Sequence, residues 1–274
     1  MNALTLPGDV ARLIESQRRQ LDAVAPGHRR RLRAIAKRLE RKLGRQLERL
    51  GRDSFSAQQT RVKLLQIQAV TDSLAVEYGD AVSQELVELA RQAAGIGRQG
   101  LVAEIQAWAK HYKGAKRSVV RTQLAGDLLG DGLLEFYQSS RERYGADALR
   151  RMRAVMAEGA LAGETVAQTS DKLARVMRLK QYQAERIVRT EQSRAWHFRK
   201  LEDAKAMAED EPGWQKMATG PMDGRTGEDS KEIEGQLRGL DQPFQSPQHG
   251  TFQAPPDRVN DRGTMVLVPP EGMF

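Results

Sequence analysis

Apolar positions recur at spacings of three and four over most of the chain before Pro212, the period of one helix face. Pro7 to Ala25 predicts a short amphipathic helix with Val10, Leu13, Ile14 and Leu21 on one side, interrupted at Pro26-Gly27. In the next helix Leu32, Ala36, Leu39, Leu43, Gln46 and Leu50 form a coiled-coil-like stripe, and Gly51 is its expected stop. Helical spacing continues from Ser56 to about Ala94 through Val62, Leu65, Ala69, Leu74, Val82, Leu86 and Leu89. Gly95 and Gly97 are expected to break it, and Leu101 to Tyr112 to resume it with Ile105 and Trp108 inward. Gly114 to Lys116 reads as a loop, and Val119 to Tyr137 as a weak helix cut by Gly126, Gly130 and Gly132. There is no fixed-period repeat.

Farther on, Asp147 to Ala160 predicts a helix, and Thr165 caps another with Gln168 at the capping-box position and Val166, Leu173 and Val176 on its apolar face. Gln181 to Ala208 predicts a long helix with Ile187, Val188, Ala195 and Leu201 inside, ended by Pro212-Gly213. The texture then changes. Trp214 to Ala218 reads as a strand, Gly220 to Gly224 as a turn, and Gly227 to Gly235 as a short helix. Gln236 to Pro256 carries little periodicity, and Thr264 to Val268 is the strongest strand signal in the chain. The expected fold is α+β and predominantly α. Residues 1–145 are an elongated helical N-terminal region, and 146–274 a small C-terminal domain of helices packed on a short antiparallel sheet.

Charge changes this picture at one place. The helix over about 29–52 carries eleven basic residues, Arg29, Arg30, Arg31, Arg33, Lys37, Arg38, Arg41, Lys42, Arg45, Arg49 and Arg52, opposed only by Glu40 and Glu48. The whole chain has a formal charge of +8, so the rest is close to neutral. Three readings follow: arginines neutralising DNA phosphates, docking on an acidic protein surface, or a solvated face. Aromatics are only 5% of residues, so the core is thin. The absence of cysteine excludes disulfides, thiolate nucleophiles and cysteine-held metal. No apolar run approaches the roughly 20 residues of a spanning helix, and the first ten residues lack signal-peptide character. The expectation is a soluble protein made in the cytoplasm, without a cofactor.

Other motifs favour structural readings. Arg189 and Glu191 suggest ADP-ribosyltransferase chemistry, but two residues apart on a helix they point about 200° from each other. An ion pair from one of them to the Asp223–Arg225 turn is the simpler expectation. Asp223, Glu228, Asp229 and Glu232 could be metal ligands, but Arg225 and Lys231 lie among them, and Glu228 and Asp229 suit a first helical turn. His28, His111, His197 and His249 lack ligand spacing. Gly95-Ile96-Gly97-Arg98-Gln99-Gly100 fits a phosphate-loop pattern loosely, but no strand precedes it.

Several landmarks occur in fixed order: Gly163-Glu164-Thr165, Arg189-Thr190-Glu191, Trp214, Asp223-Gly224-Arg225-Thr226, Phe244, Pro255-Pro256, then Asn260 and Arg262. Over roughly Ala148 to Val268 this resembles the phage Mu F-like head morphogenesis domain, which shares an R-T-E helix, a W…D-x-R-T segment and a terminal P-P…H-P-N-C-R-C. The chain has Ser230 and Arg258 where that pattern has histidines, and neither of its cysteines. The resemblance implies a structural minor head protein of a tailed phage, present in multiple copies in the virion near the portal. It would contact portal, capsid or scaffold proteins and the packaged DNA, with no membrane role. Arg189, Glu191, Trp214, Asp223, Arg225, Asn260 and Arg262 are its structural motif residues. A phage-encoded nuclease or ADP-ribosyltransferase-like effector is the alternative.

Overall fold

A computed structural model describes residues 6–49, 57–111, 127–162, 164–176, 178–210, 212–221, 223, 228–248, 250–256, 258 and 261–270. The helices are α1 (Gly8–Arg49), α2 (Ala57–His111), α3 (Gly130–Leu161), α4 (Val166–Val176), α5 (Gln181–Asp210) and α6 (Glu228–Ile233). The strands are β1 (Gln215–Thr219), β2 (Leu237–Gly239), β3 (Phe244–Ser246), β4 (Gly250–Phe252) and β5 (Thr264–Val268). The fold is α+β and predominantly α. β1 is central in an antiparallel sheet of order β2-β1-β5, and β3 and β4 form a separate antiparallel pair.

Contacts divide the chain into two compact units. Unit 1 is Met1–Pro26, Leu89–Leu133 and Arg186–Phe274; unit 2 is Gly27–Glu88 and Leu134–Glu185. The boundary expected at 145/146 falls inside α3, and the units are built from interleaved segments.

Four expected helix breaks, at Pro26, Gly95, Gly97 and Gly132, do not occur. α1 runs through Pro26, although proline removes the donor to the Asp22 carbonyl and costs about 3 kcal/mol in a helix interior. The helix continues because its apolar face is buried before Pro26, at Val10, Ile14 and Leu21, and after Gly27, at Leu32, Ala36, Leu39, Leu43 and Leu47. Leu47 takes the core position expected of Gln46; Leu50 and Gly51 lie outside the described residues. α2 likewise runs through Gly95 and Gly97. Gly97 is there for space: a Cβ would stand 2.5 Å from the Trp196 carbonyl oxygen. Gly130 starts α3 rather than cutting it, and Gly114 to Lys116 and Gly126 lie outside the described residues.

The face of α2 also differs at its start. Val62, Leu65 and Ala69 are exposed, whereas Ile67, Thr71, Leu74 and Tyr78 are buried. The inward stripe at these positions lies on nearly the opposite side of the helix from Val62, Leu65 and Ala69, two residues out of step. Elsewhere the local signals hold. Thr165 and Gln168 form the capping box, the Thr165 N–H donating to Gln168 Oε1 at 2.8 Å and the Gln168 N–H to Thr165 Oγ1 at 3.2 Å.

The core of unit 1 explains β5. Met265 and Leu267 pack with Leu101, Ile105, Leu201, Met207, Trp214 and Phe244, while Val266 packs with Val10, Ile14 and Trp108. A strand covered on both faces reads as a continuous apolar run, and all five of its residues are buried. Among the described residues, no helix is long and apolar enough to cross a membrane.

Candidate functional site

Two separate features hold the residues singled out by sequence. The first is the basic face of α1, in unit 2. From Arg30 to Arg49 every exposed position is Arg or Lys except Ala34 and Glu48. Arg29 and Lys42 are drawn into ion pairs with Glu185 (3.4 Å) and Glu77, and Arg31 bridges both oxygens of Glu85 at 2.8 and 3.0 Å. His28 is buried against the same Glu85. Arg30, Arg33, Lys37, Arg38, Arg41, Arg45 and Arg49 are exposed and have no ion-pair partner among the described residues. Arg52 lies outside them.

The second feature is a cleft of about 370 Å³ in unit 1. Arg18 and Asp22 of α1, Arg189, Ser193 and Trp196 of α5, and the Asp223 and Asp261–Thr264 segments line it. Arg262 donates two hydrogen bonds to Asp223, at 2.8 and 2.6 Å, so residues far apart in sequence meet as a bidentate pair. That bond raises the Arg262 pKa, chiefly because it favours the charged form. Arg18 donates to Thr264 Oγ1 and, at 3.2 Å, to the Arg262 carbonyl. Burial lowers its pKa, offset in part by Glu15. Asp261 is buried and accepts the Gly263 N–H at 2.8 Å.

Arg189 is exposed at the cleft, whereas Glu191 is buried and pairs with Arg194 at 3.2 Å. The expected opposition of Arg189 and Glu191 on the helix therefore stands. Arg262 clasps Asp223; Arg225 and Asn260 lie outside the described residues. Trp214 is buried in the main core. Arg258 donates to Ser230 Oγ at 2.7 Å, so the two positions where the resembled pattern has histidines touch each other directly.

Sequence reasoning missed three buried polar centres in unit 1. Lys200 and Glu104 are fully enclosed, with Nζ 2.5 Å from Oε1 and 2.8 Å from the Met265 carbonyl. Gln17 Nε2 donates to the same Glu104 oxygen at 3.2 Å. Asp203 is clasped by Arg98 and Arg199. Lys216, also fully enclosed, donates to the carbonyls of Leu240 (3.0 Å) and Gln253 (2.8 Å) and to Gln253 Oε1 (2.8 Å). It lies 5.1 Å from the Phe244 ring centroid. One ammonium thus ties the segments of weakest periodicity to the central strand. A signal was present: Glu104 shares the helical stripe of Leu101, Ile105 and Trp108, and Lys200 that of His197, Leu201 and Ala204. A charge in an apolar stripe must find a partner inside.

His197 is buried, with Nδ1 2.8 Å from the Ser193 carbonyl. Burial, then Lys200, holds its pKa well below the usual value, so the ring is neutral. Among the described residues, no group of three or more His, Asp or Glu side chains could hold a metal ion.

Lys216 makes stability depend on pH. Burial, then Lys205, lowers its pKa to about 8, with Asp241 opposing. The unfolded chain then binds more protons than the folded one between about pH 8 and the ordinary lysine value, so stability rises with pH through that window. Urea unfolding of Lys216→Met is expected to show a smaller gain from pH 8 to pH 10 than the unsubstituted protein. Equal gains would assign the proton elsewhere.

No protein-family model, curated protein or solved structure matches the chain.

Proposed function

We propose that this protein is a minor head protein of a tailed bacteriophage, a structural component near the portal that contacts portal, capsid or scaffold proteins and the packaged DNA. The observation that carries the reading is the gathering of the described landmarks from Arg189 onward within unit 1. Asp223 and Arg262 close on each other across 39 residues, Arg189 lines the same cleft, and Glu191 and Trp214 are buried beneath the surface. Their polar groups mainly hold elements together, which suits a part that keeps its shape inside an assembly. The bidentate pair and the Arg258–Ser230 bond join loops to their surroundings. The protein acts in multiple copies within the virion, is assembled in the host cytoplasm, and performs no catalysis.

A second reading has its own observation. Glu15, Asp22, Asp223 and Asp261 line one cleft together with Arg18 and Arg189, as a hydrolytic or ADP-ribosyl-transferring effector would require. The bidentate hold on Asp223 weighs against it, because a general base needs a free carboxylate. One pair of measurements separates the readings. Quantitative mass spectrometry of purified phage heads is expected to find the chain in them, and immunoprecipitation to recover it with the portal ring. Its absence from heads, or turnover of plasmid DNA or NAD that Asp22→Asn abolishes, would replace the structural reading with the enzymatic one.

A further inference from the structure

We infer that the exposed face of α1 between Arg30 and Arg49 binds the phosphate backbone of duplex DNA without reading its sequence. This rests on the face itself, so its failure would leave the head-assembly reading standing.

The basic residues of α1 fall into two sets. Arg29, Arg31 and Lys42 turn toward Glu185, Glu85 and Glu77 and help hold unit 2 together. Arg30, Arg33, Lys37, Arg38, Arg41, Arg45 and Arg49 do not; they are exposed and have no ion-pair partner among the described residues. Leaving seven like charges unpaired on one helix face is unfavourable in isolation, and a polyanion relieves it. Arg33, Lys37, Arg41, Arg45 and Arg49 follow a four-residue step, which rises about 6 Å along the axis and advances about 40° around it. Arg30, Lys37, Arg41 and Arg45 fall within an arc of about 80°, so at least four charges can face one phosphate-lined surface together.

The composition of the face selects among polyanions. Stable protein interfaces carry apolar or aromatic anchors at their centre. Here the only exposed positions that are not basic are Ala34 and Glu48. A single strand is held by aromatic platforms on which bases stack, and this face has none. Base reading uses Asn and Gln beside Arg, and the one such residue on this stretch, Gln46, is only half-exposed. What remains is a dense set of guanidinium donors, suited to phosphate oxygens and to the polar, positive character of DNA interfaces.

The test is fluorescence anisotropy of the full-length chain with a labelled duplex of arbitrary sequence across a salt series. Four to seven neutralised phosphates predict a log–log salt slope between about −4 and −6. Replacing Arg30, Lys37, Arg41 and Arg45 by Gln is expected to remove about four units of slope and weaken binding at least about a hundredfold near 100 mM salt. Gln keeps nearly the helix propensity of Arg, and unchanged circular dichroism checks that the fold is retained. Should that variant not fold, Arg41→Gln and Arg45→Gln singly are each expected to remove about one unit. Changing the three arginines to Lys should keep the slope, and so should Arg29→Gln with Lys42→Gln. An unaltered slope in the four-site variant would overturn the inference. So would equal loss from the Arg29 and Lys42 changes, or binding of polyglutamate or single-stranded DNA as tight as that of the duplex.

Discussion

Replacing Lys200 with Met lowers the stability of the protein by about 3–5 kcal/mol, the cost of removing one member of a buried ion pair. Lys200 and Glu104 are both fully enclosed. Burial lowers the Lys200 pKa, and Glu104 counters it. The loss does not come from the attraction alone, because enclosing two charges has a desolvation cost of similar size. It comes from what is left behind. One Glu104 oxygen has no hydrogen-bond partner among the described residues, and the other keeps only Gln17 once the lysine is gone. The Met265 carbonyl on β5 also loses its donor from Lys200. Urea denaturation should show this as a lower midpoint with an unchanged slope. The double variant Lys200→Met/Glu104→Leu should recover most of the loss, since a well-packed apolar pair commonly matches a buried ionic one. A single-variant cost below about 1 kcal/mol, or a double variant no better than the single, would show that these charges are not coupled.

Two glycine-to-alanine changes in unit 2 should move stability in opposite directions. Alanine is favoured over glycine in a helix interior by about 1 kcal/mol. At Gly44 on α1 an added Cβ meets nothing within 4 Å, so Gly44→Ala should gain up to that amount. At Gly79 on α2 the same methyl would stand 2.2 Å from the Arg141 carbonyl oxygen of α3 and 3.2 Å from the Gly145 nitrogen. The obstacle is backbone, so no side-chain rotation relieves it. On the facing helix, a Cβ added at Gly145 would stand 3.0 Å from the Ala75 carbonyl oxygen, a tight but milder contact. Overpacking of this kind costs about 1–3 kcal/mol; with two backbones in contact the upper end applies, and Gly79→Ala should lose about 2 kcal/mol net. Thermal unfolding of both variants checks the pair. A gain at Gly79 would show that the α2–α3 crossing has room for a methyl group.

Two other glycines of α2 show where local signals stop. Gly95 and Gly97 carry the mark of a helix break, and nothing within ten residues of them says otherwise. At Gly97 the reason is Trp196, which approaches α2 from about a hundred residues away and needs the missing side chain; at Gly95 a Cβ would meet only Leu128, at 3.9 Å. Pro26 is similar: its local penalty is genuine, but burial on both sides along one helix outweighs it. The strands β2, β3 and β4 are three residues each, too short to show a period, and their positions follow from Lys216, Phe244 and Phe252 rather than from their own propensity.

By itself the sequence determined what depends on near neighbours. The Thr165–Gln168 cap, the long helix α5, the apolar strand β5 and the basic character of α1 are of this kind. Each rests on interactions within one or two turns or on a residue's own chemistry. Only the tertiary structure decided which basic residues of α1 face solvent and which meet Glu77, Glu85 and Glu185. It alone brought Asp223 to Arg262 and enclosed Glu104 with Lys200. An ion pair formed across tens of residues depends on which helix faces are buried together, and periodicity reports only that a face exists, not what it meets.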